Sequence, residues 1–455
     1  MQSISGMLGR FVCGNSYGSL PPAVIEKTKT CLIHAIGVGL AAYETETAQN
    51  AIETARGLGG DDATILVDGA RGGLQNVALA NGTMLHSRAQ EDDYHPGMIH
   101  IGVVVIPAAL AVSEAGHIGG REFLAAVALG YEVAARLSQG YAFRSSARGF
   151  RATSQYGVVG AAAAVSKLLK LNEDQVCHAL GWAANLSCGL LECSLAKTPE
   201  MPFQAGFASA NGITAAMVAR TGAASAGTIF EGERGFYHAF ISPDEDLAPI
   251  TRDLGSRYEM LDTFFKPYPV GGLAQTPTAA MLELVQKHGI KPDQVTGVTI
   301  DMSPLEASYP GADSLKPGLV SVQFCTAVAC VHRKITLATI SRLDDPDVLR
   351  FMPKVKIVPD EQLRPLSCRM TVKMKDGRVF DKDASNVSQQ DYCFSLDRDI
   401  ELIRSLLPEM ALPQDRVGQA ISLVKGLEGC QDIGQLVQLL VSPVKVKAAR
   451  YVLPF

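Results

Sequence analysis

Apolar residues recur at helical spacing through the first half of the chain. Between about residues 22 and 250 the sequence is rich in Ala and Gly, and several stretches have the length and periodicity of helices. These stretches are AVIEKTKTCLIHAIGVGLAAY, FLAAVALGYEVAARLSQG, GVVGAAAAVSKLLK, DQVCHALGWAANLSCGLL and ASANGITAAMVARTG. Small residues three and four apart let helices approach closely, so we expect a compact multi-helical body.

The pattern changes after LDTFFKPYPVGGLAQ. QVTGVTIDM alternates apolar and polar residues as a strand does, and CRMTVKMKDGRVFDKD places Asp376 and Gly377 between two alternating runs, which predicts a hairpin. Between them, FCTAVACVHRKI and DPDVLRFMP predict helices and KVKIV predicts a short strand. The segment 265–395 is therefore expected to form a smaller α+β domain.

Helical periodicity returns in DIELIRSLLPEM, QDRVGQAISLVKGL and IGQLVQLLVS. The predicted fold class is mainly α, with a large multi-helical domain and a smaller α+β lid domain. We assign residues 1–264 to the helical domain, completed by 396–455, and residues 265–395 to the lid. A chain of 455 residues is long enough for two or three domains of about 100–200 residues each.

Composition narrows the class of partner. The net charge of −5 gives no basic field for nucleic acid or an anionic membrane surface, so a small molecule is the favoured partner. No apolar run approaches the roughly 20 residues that span a bilayer, and the N-terminus lacks the pattern of a signal peptide. Ten cysteines without a C-x-x-C pair indicate free thiols. The spacing of Cys188 and Cys193 favours packing. A cytoplasmic enzyme is expected.

Common catalytic signatures are missing: the sequence has no G-x-G-x-x-G after a strand, P-loop, G-x-S-x-G or H-E-x-x-H. A titratable cluster instead precedes the helix-like VVVIPAALAV. It comprises His86, Glu91, Asp92, Asp93, His95 and His100. Such groups are costly to bring near an apolar core unless they pair or act in catalysis. Acid/base use fits better than a metal site, because Pro96 and Gly97 do not fix both flanking histidines on one ion. A surface loop that caps the next helix is the equal alternative.

Cationic side chains occur at two further places. Arg144, Arg148 and Arg151 precede a helix start predicted at Thr153 or Ser154. Guanidinium groups at a helix N-terminus bind carboxylates well, and Arg151 is the nearest, whereas Arg144 is expected on a solvated face. In FFKPYPVGG, Lys266 follows two aromatic residues and precedes a stiff turn. It would bind a carboxylate or transfer a proton across an interdomain cleft, or else it is an exposed lysine at a domain junction.

Five blocks carry a family resemblance over nearly the whole chain. They are NGTMLHSRAQEDDYHPGMIHIGVVVIPAALAVSEA, GVVGAAAAVSKLLKL, FQAGFASANGITAAMVARTG, FFKPYPVGGLAQTPTAAMLEL and QFCTAVACVHRKI. In this order they resemble the MmgE/PrpD family, which includes 2-methylcitrate dehydratases, cis-aconitate decarboxylases and iminodisuccinate epimerases. The resemblance implies a helical domain with an α+β lid, a homodimer, and a cofactor-free site in the interdomain cleft. It also implies proton transfer next to a carboxylate of a di- or tricarboxylate, followed by loss of water, loss of CO2 or return of the proton.

The resemblance places two catalytic groups. The histidine of the family's H-P-x-G type motif falls on His100, although Ile101 replaces the proline, and the lysine of the K-P-Y-P motif falls on Lys266. In the acidic D-Y-D-D-T motif, the first aspartate has become Ala89 and the threonine has become Asp93.

Other positions depart from the family pattern. A family histidine is replaced by Arg151, and the histidine of the T-K-x-L-H-x-G block is replaced by Gln204. The lysine of that block falls on Met201, unless Lys197 supplies the amine, and the tyrosine of the F-S-x-x-Y block falls on Val328. The pocket is expected to hold fewer carboxylates and more apolar surface than is usual for the family.

The expected function is a cofactor-independent lyase of dehydratase type acting on a carboxylic acid, such as an alkylcitrate-like acid or a biosynthetic intermediate. The catalytic residues are expected to be His100, Lys266 and Asp93. The substrate-binding residues are expected to be Arg151, Arg148, His95, Lys197 and Gln204. No metal or cofactor is expected. The alternatives are an isomerase, epimerase or cyclase that uses the same base, and a non-catalytic relative.

Overall fold

A computed structural model describes residues 3–309 and 311–454. Helices dominate the part before residue 264. They are α1 (Ile4–Gly14), α2 (Pro22–Leu40), α3 (Glu46–Leu58), α4 (Leu74–His86), α5 (Gly102–Ala115), α6 (Gly120–Ser138), α7 (Ala142–Ala147), α8 (Ala152–Leu168), α9 (Glu173–Asn185), α10 (Glu192–Ala196), α11 (Met201–Arg220), α12 (Phe236–Phe240) and α13 (Ala248–Thr251). The short strands are β1 (Ala63–Thr64), β2 (Arg71–Gly72), β3 (Asp92–Asp93) and β4 (Phe264–Phe265).

The predicted helical stretches are confirmed as α2, α6, α8, α9 and α11, although α11 begins earlier than its pattern indicated. Close packing of α6 on α8 depends on small residues. A Cβ atom on Gly130 would lie 2.7 Å from the Gly160 carbonyl oxygen, so a larger side chain there would separate the two helices. The same Cβ would lie 2.8 Å from Val105 Cγ1, so α5, the helix that follows the acidic cluster, packs at this contact too.

The lid contains a four-stranded sheet of order β6-β5-β7-β8. Its strands are β5 (Val295–Met302), β6 (Val355–Pro359), β7 (Cys368–Met374) and β8 (Val379–Ala384), and its helices are α14 (Gln275–His288), α15 (Pro304–Ala307), α16 (Val322–His332), α17 (Leu337–Ile340), α18 (Pro346–Phe351) and α19 (Gln389–Tyr392). β5 pairs in parallel with β6 and antiparallel with β7. The hairpin prediction is confirmed: β7 pairs antiparallel with β8, and Gly377 has a φ of 87°. The fold is mainly α with a smaller α+β domain, as predicted.

The C-terminal helices return to the first body. They are α20 (Leu396–Ser405), α21 (Gln414–Lys425) and α22 (Gly434–Leu439). Their apolar residues share one core with α2, α5 and α6, whereas most of the lid's apolar residues form a second core. At the contact with α6, a Cβ on Gly120 would lie 1.7 Å from the Leu427 carbonyl oxygen. The division into 1–264 with 396–455, and 265–395, stays a proposal.

No helix within the described residues is both long and apolar enough to cross a membrane. All ten cysteines carry free thiols; six are buried, and Cys188 is exposed. Burial raises the pKa of the Cys193 thiol, so it is a poor nucleophile at neutral pH.

Candidate active site

A two-strand ladder joins the acidic cluster to the lysine. β3 pairs antiparallel with β4, which places Asp92 opposite Phe265 and Asp93 opposite Phe264. The residues flanking these strands then meet: Lys266 Nζ lies 2.6 Å from Glu91 Oε1, and the two side chains are 2% and 1% exposed. The interpretation of Lys266 as an exposed junction lysine is therefore wrong, and so is that of the cluster as a surface loop.

Glu91 also connects Lys266 to a buried histidine and an arginine. His86 Nδ1 lies 3.2 Å from Glu91 Oε2, and His86 Nε2 lies 2.7 Å from Arg151 Nη2. Because a guanidinium only donates, His86 Nε2 accepts this hydrogen bond and Nδ1 carries the proton that faces Glu91. Burial lowers the pKa of His86, so the imidazole is neutral. Glu91 thus contacts Lys266 directly and is linked to Arg151 through the imidazole of His86.

The side chain of His100 is more exposed than those of His86, Glu91 and Lys266. Its Nδ1 is 3.0 Å from the Asp92 carbonyl oxygen, 3.6 Å from Glu91 Oε1 and 3.9 Å from Asp93 Oδ2. Since a carbonyl oxygen only accepts, Nδ1 carries the proton and Nε2 carries the lone pair. Burial and the neighbouring Lys266 ammonium hold the pKa of His100 well below its usual value. The side chain is 18% exposed. His100 is therefore a neutral imidazole with an available basic nitrogen.

Glu91 and Asp93, on either side of Asp92 in the sequence, ionise at very different pH. Burial opposes ionisation of Glu91, but the Lys266 ammonium, helped by the hydrogen bond from His86, holds its pKa well below the usual value. Burial raises the pKa of Asp93 to about 7, and the opposing effect of Lys266 is smaller. Glu91 is consequently a permanent anion, whereas Asp93 gains or loses a proton near neutral pH. Carboxyl groups separated in this way suit distinct roles.

Asp92, the carboxyl group between them, is structural. Its Oδ1 accepts a hydrogen bond from Gly102 N at 3.2 Å, and its Oδ2 accepts one from the Tyr131 hydroxyl at 2.6 Å. Burial raises the pKa of Asp92 to about 6. The alternative that the acidic cluster caps the next helix is thus correct for Asp92, which holds the first residue of α5.

A second buried network contacts residues in and beside β3 and β4. His34 Nδ1 lies 2.7 Å from Asp399 Oδ1, and His34 Nε2 lies 2.8 Å from the Gln90 carbonyl oxygen. The imidazole also packs on the Phe265 ring, with 4.9 Å between centroids. Gln90 Nε2 donates to the Pro267 carbonyl oxygen at 2.8 Å. These contacts fix the neighbours of both Glu91 and Lys266. Sequence reasoning missed His34, because a lone histidine in an apolar helix carries no signal of its partners.

Arg151 approaches the cluster from the start of α8. It is the N-cap residue, so the helix begins at Ala152, one residue before the predicted position. Its backbone N–H donates to the Gly189 carbonyl oxygen at 3.0 Å. Its charge acts on Glu91, Asp93, Cys193 and Tyr309, which places the Tyr309 phenol beside the site. Burial raises the pKa of Tyr309, so it stays protonated. Sequence reasoning missed Tyr309, which lies outside the resembling blocks.

The remaining predicted residues lie around the cluster rather than in it. Arg148 Nη1 donates to the Ala239 carbonyl oxygen at 2.9 Å, away from Glu91. His95 packs on the Phe264 ring, and burial lowers its pKa. Gln204 Nε2 donates to the Leu190 carbonyl oxygen at 2.9 Å. Lys197 Nζ is buried beside Gly311, where a Cβ atom would lie 2.4 Å from it.

Val328, at the position of the family tyrosine, is buried in the second core. Among residues 3–309 and 311–454, no three or more His, Cys, Asp or Glu side chains are grouped so as to hold a metal ion.

Comparison with known proteins identifies the family. Residues 6–247 match the family model described as the MmgE/PrpD N-terminal domain, and residues 268–389 match the MmgE/PrpD C-terminal domain. The chain therefore belongs to the MmgE/PrpD family.

Its relatives include proteins named cis-aconitate decarboxylase and one named as similar to it. The chain is 25% identical over 468 residues to the cis-aconitate decarboxylase of Homo sapiens, which covers 97% of this chain and 95% of the human protein. It is 24% identical over 462 residues to the cis-aconitate decarboxylase of Aspergillus terreus, with coverage of 94% and 93%. It is 24% identical over 459 residues to the cis-aconitate decarboxylase-like protein oryM of Aspergillus oryzae, with coverage of 92% and 94%.

Proposed function

We propose that this chain is a cofactor-independent lyase that removes a proton next to a carboxylate or carbonyl group of an organic acid. The observation that carries the proposal is the meeting of His100 and Lys266 at one oxygen of Glu91, at 3.6 and 2.6 Å. Membership in a family whose named relatives include decarboxylases supports a lyase. The low identity to those relatives leaves the substrate to be derived from the site itself.

The base is His100. Its Nδ1 is fixed on the Asp92 carbonyl oxygen, so the neutral ring presents Nε2 to the substrate. Removal of a proton next to a carboxylate produces an enolate-like negative charge. Lys266 and Arg151 lie on the same network and stabilise this charge, and Glu91 orients Lys266 through one of its three N–H groups. Charge stabilisation in a water-poor site is worth far more than in bulk water.

The acid is Asp93, which lies 3.9 Å from His100. The electron pair of the broken C–H bond forms a carbon–carbon double bond, and the bond between the β carbon and its hydroxyl oxygen breaks. That oxygen takes the proton of Asp93 and leaves as water. His100 then holds one proton more and Asp93 one fewer, and transfer between them through solvent restores the starting state. A pKa of about 7 for Asp93 suits this exchange at neutral pH.

A second candidate function is an isomerase, epimerase or cyclase that begins with the same proton removal. The observation that favours it is the short separation of the two titratable groups, His100 and Asp93. A proton that leaves to one group is returned by the other at a second face or a second carbon. The product then has the mass of the substrate.

Product mass decides between these functions. The protein is incubated with a panel of hydroxy and unsaturated mono-, di- and tricarboxylic acids, and products are identified by mass spectrometry. The lyase proposal predicts loss of water or CO2, and a product of unchanged mass favours the isomerase. Lys266→Met should remove the activity, whereas the exposed Lys287→Met should retain it. If no acid reacts, or if Lys266→Met is fully active, the proposal is wrong.

The resemblance also suggested a homodimer, which we retain as a proposal. Its test is the molar mass in solution by light scattering.

A further inference from the structure

We propose that the substrate of this site presents one carboxylate to Arg151 and one hydroxyl group to Asp93, and carries no more than two carboxylates in all. The ligand class is therefore a hydroxy monocarboxylate or hydroxy dicarboxylate rather than a tricarboxylate. This inference rests on the proposed lyase function, because it names the acid on which the same site acts.

Two buried polar atoms point to this ligand. Arg151 Nη1 and Asp93 Oδ1 are both buried, and neither has a hydrogen-bond partner within the described residues. The two residues are only 5% and 7% exposed. Buried polar atoms in native proteins are nearly always paired, so an orphaned donor and an orphaned acceptor mark places for ligand groups. A guanidinium N–H calls for a carboxylate. A carboxyl oxygen calls for a hydroxyl group, which accepts a hydrogen bond from the protonated acid and donates one to its ionised form.

The charges of the site limit how many carboxylates it binds. Arg151 and Lys266 are cationic, Glu91 is anionic, and both His86 and His100 are neutral because burial lowers the pKa of each. With Asp93 protonated, the network carries one net positive charge. A single carboxylate neutralises it. An uncompensated charge among buried side chains is strongly unfavourable, so further carboxylates need further cations.

One further cation, Lys197, lies against the segment that follows Tyr309. Lys197 Nζ is buried without a hydrogen-bond partner in the part of the chain that the structure describes. It lies against Gly311 and Gly318, in the segment that follows Tyr309. We assign Lys197 to a second carboxylate, where the substrate has one, because its buried ammonium has no other partner among the described residues. The third carboxylate of a tricarboxylate would have no cation and would lie near Asp93, whose ionised form repels it.

Equilibrium binding tests the ligand class separately from turnover. Isothermal titration calorimetry of 3-hydroxyhexanoate, malate and citrate is carried out on His100→Asn, which removes the base and so prevents turnover. The inference predicts that 3-hydroxyhexanoate or malate binds at least tenfold more tightly than citrate at pH 8. Citrate binding as tightly as 3-hydroxyhexanoate and malate, or no binding by either of those two acids, would overturn it.

Two substitutions test the assigned contacts in the same background. Arg151→Gln should weaken binding of the hydroxy acids by tenfold or more, and the exposed Arg144→Gln is the matched control that should leave it unchanged. Asp93→Asn should raise the affinity for citrate at pH 8, because it removes the repelling charge. Equal effects of Arg151→Gln and Arg144→Gln, or no gain in citrate affinity, contradict the assignment.

The two proposals fail in distinguishable ways. A wild-type protein that binds the hydroxy acids with this preference but forms no product from them, or from any acid of the panel, contradicts the lyase function and supports the ligand class. Conversely, a wild-type protein that removes water or CO2 from citrate and binds citrate most tightly contradicts the ligand class and supports the lyase function.

Discussion

At the scale of single residues, neighbouring carboxyl groups differ because their partners differ. Glu91 lies against Lys266, whereas Asp93 has one oxygen without a partner among the described residues. The first is therefore held ionised, while burial raises the pKa of the second to about 7. The sequence gives three consecutive acidic residues and no means of telling them apart. Their roles depend on a lysine that lies far along the chain.

The raised pKa of Asp93 predicts that the free energy of unfolding falls as the pH rises. In the unfolded chain the carboxyl group has a pKa near 3.8, and in the folded protein near 7, so protonation favours the folded state. The stability that Asp93 contributes is present below about pH 4 and is lost as the pH rises through 7. Relative to Asp93→Asn, the wild type should lose up to about 4 kcal/mol between pH 4 and 8, at about 1.36 kcal/mol per pKa unit.

Urea denaturation at pH 4, 6 and 8 measures this effect. Asp344→Asn, at an exposed position, is the control and should show no comparable trend. A difference between the wild type and Asp93→Asn that does not change with pH would contradict the raised pKa of Asp93.

At the scale of elements, the regular segments could be predicted and the site-forming ones could not. The long helices and β5 to β8 have clear periodicity, and the Asp376-Gly377 turn defines the hairpin. β3 and β4 have only two residues each, too few to show a period, and they pair across more than 170 positions. The resemblance pointed to His100 and Lys266, whereas the ladder that brings Lys266 to Glu91 is visible only in the fold.

The ladder is supported by the buried pair of His34 and Asp399, which are both fully buried. Burial alone would lower the pKa of His34, but Asp399 raises it above the usual value. The stability from this pair is present below pH 6.5 and is lost as the pH rises through the folded-state pKa. Asp399→Asn should therefore destabilise the protein by about 3 kcal/mol at pH 6 and by less at pH 9.

The same substitution should lower kcat, since it loosens the support beneath Glu91 and Lys266. Asp397→Asn, on the same helix and 86% exposed in its side chain, should alter stability and kcat little. Equal stability losses for Asp399→Asn at pH 6 and pH 9 would show that the charge of His34 does not stabilise the fold.

At the scale of the whole molecule, the C-terminal helices are part of the body that holds the site. Asp399 reaches His34 from α20, and the Leu427 carbonyl group lies close against α6 at Gly120. Return of a distant segment to an earlier domain is predictable only in part, because periodicity shows helices without showing what they pack against. The helical patterns predicted three elements here, and the structure shows their partners.

Gly120→Ala tests this packing. Its Cβ would lie 1.7 Å from the Leu427 oxygen, so the C-terminal segment must shift, and we expect a loss of about 2–4 kcal/mol in the free energy of unfolding. Gly418→Ala in α21 is the matched control: nothing lies within 4 Å of its Cβ, and alanine should stabilise that helix by about 0.5–1 kcal/mol. Chemical denaturation measures both. A tolerated Gly120→Ala would contradict the docking of the C-terminal segment on α6.

The central claim is that His100 takes a proton from a bound acid whose charge Lys266 stabilises. Deuterium uptake from heavy water into the recovered acid, followed by mass spectrometry, tests this step before any leaving group departs. The wild type should catalyse exchange at the carbon next to the carboxylate, while His100→Asn and Lys266→Met should reduce its rate by about 100-fold or more. The exposed His238→Asn should exchange as the wild type does. Exchange that persists at the wild-type rate in both site variants would contradict the claim.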